Sequence, residues 1–167
     1  NLRTLYTYYM THPGGKLMFM GGEFGQFIEW RFYEQLEWFL LEYDNHCLMQ
    51  HFTKTLNKLY LQHDAFWAND HDWNGFSWIS ADDDENSVYT YVRRSHVTGE
   101  QVVTVINLTP NPLPDYLFGV PSAGTYAVLL NSDDALFGGS DAPTGADRQG
   151  HFKTLAVENH GHPQSLK

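Results

Sequence analysis

Residues 17–20 read Leu-Met-Phe-Met, four apolar residues without a polar break. His12-Pro13-Gly14-Gly15 stands shortly before them and Gly21-Gly22 directly after. Proline cannot continue a helix and glycine opens a turn, so the run is fenced on both sides. Upstream, Leu2, Leu5, Tyr6, Tyr9 and Met10 fall on one face of a helical period. A short continuous apolar run between a helix and a glycine loop predicts a buried strand of a parallel sheet. Such a strand needs neighbours, and no other segment of this chain supplies them. The chain also opens at Asn1 directly into the helical pattern, without a start residue. It is therefore expected to be part of something larger.

After the glycine loop the helical pattern returns. Leu36, Phe39 and Leu40 suggest a helical turn. Asp44 can cap a longer helix through His63, carried by Leu48, Phe52, Leu56, Leu59 and Tyr60. The texture changes near Ala65. Residues 76–80 and 87–93 flank the turn Ala-Asp-Asp-Asp-Glu-Asn as a hairpin. Residues 101–107, 126–130 and 152–157 predict further strands. Thr-Pro-Asn-Pro-Leu-Pro at 109–114 cannot lie in a central strand, because proline donates no ladder hydrogen bond. A long polar loop separates the last two strands. The second half thus reads as an antiparallel β-sandwich or partial barrel.

Charge and composition narrow the partners. Twenty acidic against 10 basic residues give a formal charge of −10, which argues against nucleic acid. No apolar run approaches the ~18 residues of a membrane span. One cysteine, Cys47, excludes an internal disulfide framework and fits a reducing cytosol, so a cytoplasmic location is expected. Aromatics make up 16% of the chain, a content that suits a β core or a sugar-stacking surface.

Several apparent sites dissolve on inspection. Asp70, Asp72, Asn74 and Gly75 match the opening of a calcium-binding EF-hand loop. The position of its bidentate glutamate is Ala81, and a strand follows where a helix should. Asp82, Asp83, Asp84 and Glu85 read as a solvated hairpin tip. His160 and His162 lack a third ligand at a recognisable spacing, so no metal is expected. Cys47 near a helix start reads as structural. Among the carboxylates, Glu34 and Glu37 are ordinary i, i+3 neighbours. Glu23 differs, because it follows the apolar run and its glycine pair, at the carboxyl end of the expected strand.

In order along the chain, "HPGGKLMFMGGEFGQ" followed by "EW", "LEWFLLEYDNH", "WNGFSWISADDDENSVYTYVRR", "NLTPNPLPDYLFGVPSAGTY" and "LLNSDDALFGGS" resemble the bacterial 1,4-α-glucan (glycogen) branching enzymes. That family belongs to the α-amylase superfamily of (β/α)8 barrels. The resemblance covers nearly the whole chain, and "GGEFGQ…EW" is its strongest element. It implies a carboxyl-terminal fragment. Residues 1–66 would be the remnant of the catalytic barrel, with its last strand and helices. Residues 67–167 would be the C-terminal β-sandwich domain, lacking its final strand.

The resemblance further implies an intact enzyme of glycogen synthesis that cleaves α-1,4 linkages and transfers the chain to a 6-hydroxyl, forming α-1,6 branches without a cofactor. The family's two aspartates and its glutamate acid/base lie upstream of Asn1, so the fragment is expected to be inactive. Its own contribution would be Glu23, Gln26 and Trp30 at the active-site rim, touching α-glucan or bracing the loop. Its partners would be α-glucan and the missing barrel portion. Apolar surface left uncovered by that barrel would favour self-association. The competing reading is a non-catalytic carbohydrate-binding or interaction β domain, with Trp67, Trp73 and Trp78 as candidate contacts.

Overall fold

The computed structural model describes all 167 residues. Helix α1 (Leu2–Thr11) stops where Pro13 follows, with His12 already extended. Helix α2 (Asp44–Gln62) begins at Asp44 and buries Met49, Phe52, Thr53 and Leu56, the face its apolar spacing marks out. A five-residue 3-10 helix, Trp38–Glu42, precedes it and buries Leu40. The two α-helices share a core of Met10, Met49, Phe52 and Leu56, with Tyr6, Tyr9 and Leu59 packed around it.

Phe137 completes this core from far along the chain, edge-on to Phe52 at 5.2 Å. It belongs to the loop that reads as merely polar in sequence. That loop is folded on itself around Asp133, whose carboxylate accepts from the Ser140 and Ala142 amides at 3.0 and 3.2 Å. Arg3 of α1 then clamps it, donating to the carbonyls of Ser132 at 2.6 Å and Phe137 at 2.9 Å.

The β-rich part consists of three antiparallel sheets. Strands β1 (Phe76–Asp83), β2 (Val88–Arg94) and β3 (Gln101–Asn107) form the largest, joined in that order. β4 (Phe118–Val120) pairs with β7 (Gln164–Leu166), and β5 (Thr125–Ala127) pairs with β6 (His151–Lys153). The expected hairpin and third strand are all present. The strands expected at 126–130 and 152–157 are shorter and begin one residue earlier. No strand includes the prolines at 110–114. No helix is long and apolar enough to cross a membrane.

One expectation fails outright. Residues 17–20 form no strand. A strand requires a second backbone beside it, and none runs there. The carbonyl of Leu17 instead accepts from the Tyr9 hydroxyl at 2.6 Å, and that of Phe19 from the Gly22 amide at 2.9 Å. Met20 turns to φ +35, away from extended geometry. Leu17 is 74% exposed and Phe19 49%.

Arg93 of β2 is wholly buried and joins the helical and β-rich parts. Its Nη1 donates to the Thr11 carbonyl at the end of α1 (2.9 Å). Its Nη2 donates to the Phe66 carbonyl beyond α2 (2.8 Å) and to Asp70 (2.7 Å). Its Nε reaches the Gly75 carbonyl at the entrance to β1 (3.3 Å). Beside it, Thr11 and Tyr91 hydroxyls bond at 2.6 Å, and burial pushes the Tyr91 phenol up to about 12. The His12 ring lies in an aromatic nest, 5.0 Å from Tyr8 and from Phe76, and 6.0 Å from Tyr91.

Removing one partner of a buried ion pair strands the other without water. Arg93→Ala is therefore expected to cost about 3–5 kcal/mol of stability, read as a lower urea midpoint at unchanged m-value. A loss under about 1 kcal/mol would contradict this role. Acid should act in the same direction through His12. Burial, first, and then the Lys16 and Arg93 charges lower its pKa below the ordinary 6.5, outweighing the opposing effects of the Pro13 carbonyl and Asp70. The unfolded chain then binds more protons as pH falls, so stability declines on acidification below about 6.5. His12→Gln should flatten that part of a stability–pH profile, while an unaltered slope would exclude His12 as a cause.

Candidate functional site

The loop after the apolar run is held from several sides. Gly21 at φ +82 and Gly25 at φ +69 enclose a single 3-10 turn, Gly22–Phe24. A side chain on Gly21 would also strike Gln26, whose Oε1 lies 2.7 Å from where its Cβ would stand. Phe24 is buried and packs on Trp38 at 5.4 Å. The Tyr6 hydroxyl of α1 donates to the Gly22 carbonyl at 2.8 Å. His46 of α2 bonds the Phe24 carbonyl through Nδ1 at 2.7 Å, so that nitrogen carries the proton. Glu37 accepts from the Phe27 and Ile28 amides at 3.3 and 3.2 Å.

Within this frame, the three residues singled out from sequence differ. Gln26 commits both ends of its amide to the loop. Its Oε1 accepts from the Glu37 amide at 2.9 Å, and its Nε2 donates to the Ile28 carbonyl at 2.6 Å. Glu23 lines an open groove of about 310 Å3 between the loop and α2, together with Gln50, Lys54, Asn57, Lys58 and Leu61. Burial and then the Glu23 carboxylate raise the Tyr6 phenol above its usual range. Trp30, at φ +56, is 69% exposed and leans on Phe19 at 5.2 Å.

Chemically, the groove offers a single carboxylate. Double displacement at a glycosidic bond needs two carboxyl groups about 5 Å apart. The groove beside Glu23 is lined by amides, lysines, a threonine and a leucine, with no second acid. Two of the nearby acids are committed elsewhere. Glu34 pairs with Arg31 at 3.1 Å, and Glu37 braces the loop. What the arrangement can do is present one carboxylate and one indole from a fixed backbone, for hydrogen bonding and stacking.

The other sequence features have structural employment. Asp70 binds Arg93 and the Gly14 amide, and Asp72 accepts from the Asn74 amide at 2.9 Å. Asp83 accepts from Asn86 and Tyr116 at 3.0 and 2.8 Å. The Cys47 thiol bonds the Leu41 carbonyl. Trp78 packs between Phe76 and Tyr91 at 5.2 and 5.5 Å, whereas Trp73 is 93% exposed. Tyr6, Glu37 and His46 are the loop residues that the sequence does not disclose. Their roles depend on through-space bonds to backbone atoms 9 to 22 positions away.

A 1,4-alpha-glucan branching enzyme GlgB of Aromatoleum aromaticum is 46% identical over 165 residues, covering 99% of this chain and 25% of that protein. GlgB of Halothermothrix orenii is 46% identical over 84% of the chain, covering 22% of its own length. GlgB of Oceanobacillus iheyensis is 41% identical over 100% of the chain and 26% of its own length. The chain therefore spans about a quarter of the curated relatives it matches. The family described as alpha amylase, C-terminal all-beta domain, matches residues 78–167, from Trp78 in β1 to the last residue. With more than half of its length matched, this chain belongs to the α-amylase C-terminal all-β domain family.

Proposed function

We propose that this chain is the carboxyl-terminal part of a 1,4-α-glucan branching enzyme, a cytoplasmic glycosyltransferase of glycogen synthesis. The observation that carries the reading is 46% identity to such an enzyme across 99% of this chain. On this reading, residues 1–66 complete a (β/α)8 barrel and residues 67–167 form its C-terminal β-sandwich domain. The uncovered Leu17, Phe19, Phe27 and Phe32 support it, since so much exposed apolar surface within residues 17–32 asks for a covering partner. In the longer protein the barrel covers them. In the isolated chain they favour self-association.

The reaction is a retaining transfer. A carboxylate outside this chain attacks the α-1,4 linkage and the glycosidic oxygen leaves with a proton from a general acid. A glucan 6-hydroxyl then displaces the carboxylate, giving its proton to the conjugate base of that acid, and yields the α-1,6 branch. The present residues serve binding. Glu23 accepts hydrogen bonds from sugar hydroxyls and Trp30 stacks on a pyranose face. Gln26 holds the loop that carries both. The bond network from Tyr6, Glu37 and His46 supports this division, because it sets the loop before any ligand arrives.

An iodine-staining assay on amylose tests the reading. The 167-residue chain alone should leave the stain unchanged, while the longer protein containing it should branch. Branching by the isolated chain would contradict the proposal. In the longer protein, Trp30→Ala should raise KM about 3- to 10-fold with kcat little altered, the loss of one aromatic contact. Unchanged KM would exclude Trp30 from the substrate path.

A further inference from the structure

Strand β3 is the end member of its sheet and pairs with β2 alone. The bonds at the two ends of this ladder fix which groups point inward. The Leu108 amide donates to the Ser87 carbonyl at 3.0 Å, and the Ser95 amide donates to the Glu100 carbonyl at 2.9 Å. In an antiparallel ladder such bonded pairs recur at every second residue. Val102, Thr104 and Ile106 therefore turn their backbone groups toward Arg93, Tyr91 and Tyr89 of β2. Gln101, Val103, Val105 and Asn107 turn theirs outward. No turn or loop bonds to these outward groups, and Val105 is 42% exposed.

The other outer strand of the sheet is protected. β1 breaks register with β2 twice and ends in Asp82 and Asp83, and irregularity and charge both keep an edge from pairing. β3 has neither. It matches β2 residue for residue over all seven positions and contains no charged residue, proline or glycine. Its valines, threonine and isoleucine are strong strand formers. The chain has a formal charge of −10, and β3 is the one strand longer than three residues without a charged side chain.

The sequence of β3 points to its occupant. Gln-Val-Val-Thr-Val-Ile-Asn reads nearly the same from either end. About Thr104, Val103 mirrors Val105, Val102 mirrors Ile106 and Gln101 mirrors Asn107. Two copies set antiparallel, with Thr104 on a two-fold axis, place like against like. Val103 of one copy then exchanges both backbone bonds with Val105 of the other, and Gln101 does so with Asn107. Val102 and Ile106 face each other as the closer, non-bonded pairs. The Asn107 side chain is held in the following turn by Thr109 and Asn111, which leaves its backbone edge clear.

We infer that β3 is a docking edge for a second copy of this chain, which adds antiparallel and joins the two three-stranded sheets into one. Such an interface is isologous and closes at two copies. Contact through one strand edge is narrow, in the class below about 1,200 Å2, so the dimer is weak and concentration-dependent. It is distinct from the exposed apolar residues of the 17–32 stretch.

The test is amide hydrogen exchange of the 167-residue chain at about 20 µM and about 1 mM. The Val103 and Val105 amides should exchange freely in the dilute sample and about 5-fold more slowly in the concentrated one. A mixture of labelled and unlabelled chain should show Hα contacts between Val102 of one copy and Ile106 of another. Val105→Lys places a cation on the edge and Val105→Pro removes a donor there, so each should abolish the slowing at Val103. Phe19→Ser should leave it intact. In the longer protein, exchange of residues 101–107 should slow with concentration in the same way. Exchange independent of concentration would overturn the inference. So would protection already complete in the dilute sample, or at every concentration in the longer protein, because another segment would then fill the edge. Slowing that survives Val105→Lys, or that vanishes in Phe19→Ser, would also overturn it. The branching assay does not depend on this edge, so either result can fail without the other.

Discussion

A guanidinium carries a charge that cannot be shed in water or in a protein interior. Arg93 is nonetheless removed from solvent, and four separate backbone or side-chain oxygens meet it. They come from the end of α1, from the segment leaving α2, from Asp70 and from the entrance to β1. Each is placed by a different part of the chain. The pair with Asp70 does not by itself argue for stability, because desolvation offsets most of its attraction. What it supplies is a single admissible arrangement. If any of the four segments shifts, a buried charge loses its partner.

The glycine loop that carries Glu23 depends on the same arrangement at one remove. α1 delivers Arg93's acceptor at Thr11 and also Tyr6, which holds Gly22. α2 leads into Phe66 and also carries His46, which holds Phe24. Fixing the two helices against β2 therefore fixes the two struts of the loop. A second seam runs alongside, where His63 bonds Glu100 at 2.5 Å and Ser95 donates to Asp64 at 2.7 Å.

Much of this was open to reading in the sequence, and the exceptions share one cause. Helix α2 is legible because Phe52 and Leu56 recur at helical spacing. The β1–β2 hairpin is legible because polar residues separate two apolar runs. The strand at 17–20 misled, since an apolar run states a need for burial without stating that a partner backbone exists. β4 and β7 went unseen because each has three residues and finds its partner more than 40 positions away. At the site, Glu23 and Trp30 stand out from the glycine turn. Gln26 declares its type and not its bonds, so its commitment to Glu37 and Ile28 could only be seen in space. Arg93 looked like any strand arginine, because burial of a charge is decided by what folds around it.

If Arg93 unites the helical and β-rich parts, the two cannot unfold independently. Urea unfolding followed in parallel by far-ultraviolet circular dichroism, which weights α1 and α2, and by amide signals of β2 and β3 tests this directly. Coincident midpoints and a single cooperative transition are the predicted result. Loss of helical signal well before the β2 and β3 amides, or the reverse order, would contradict the account.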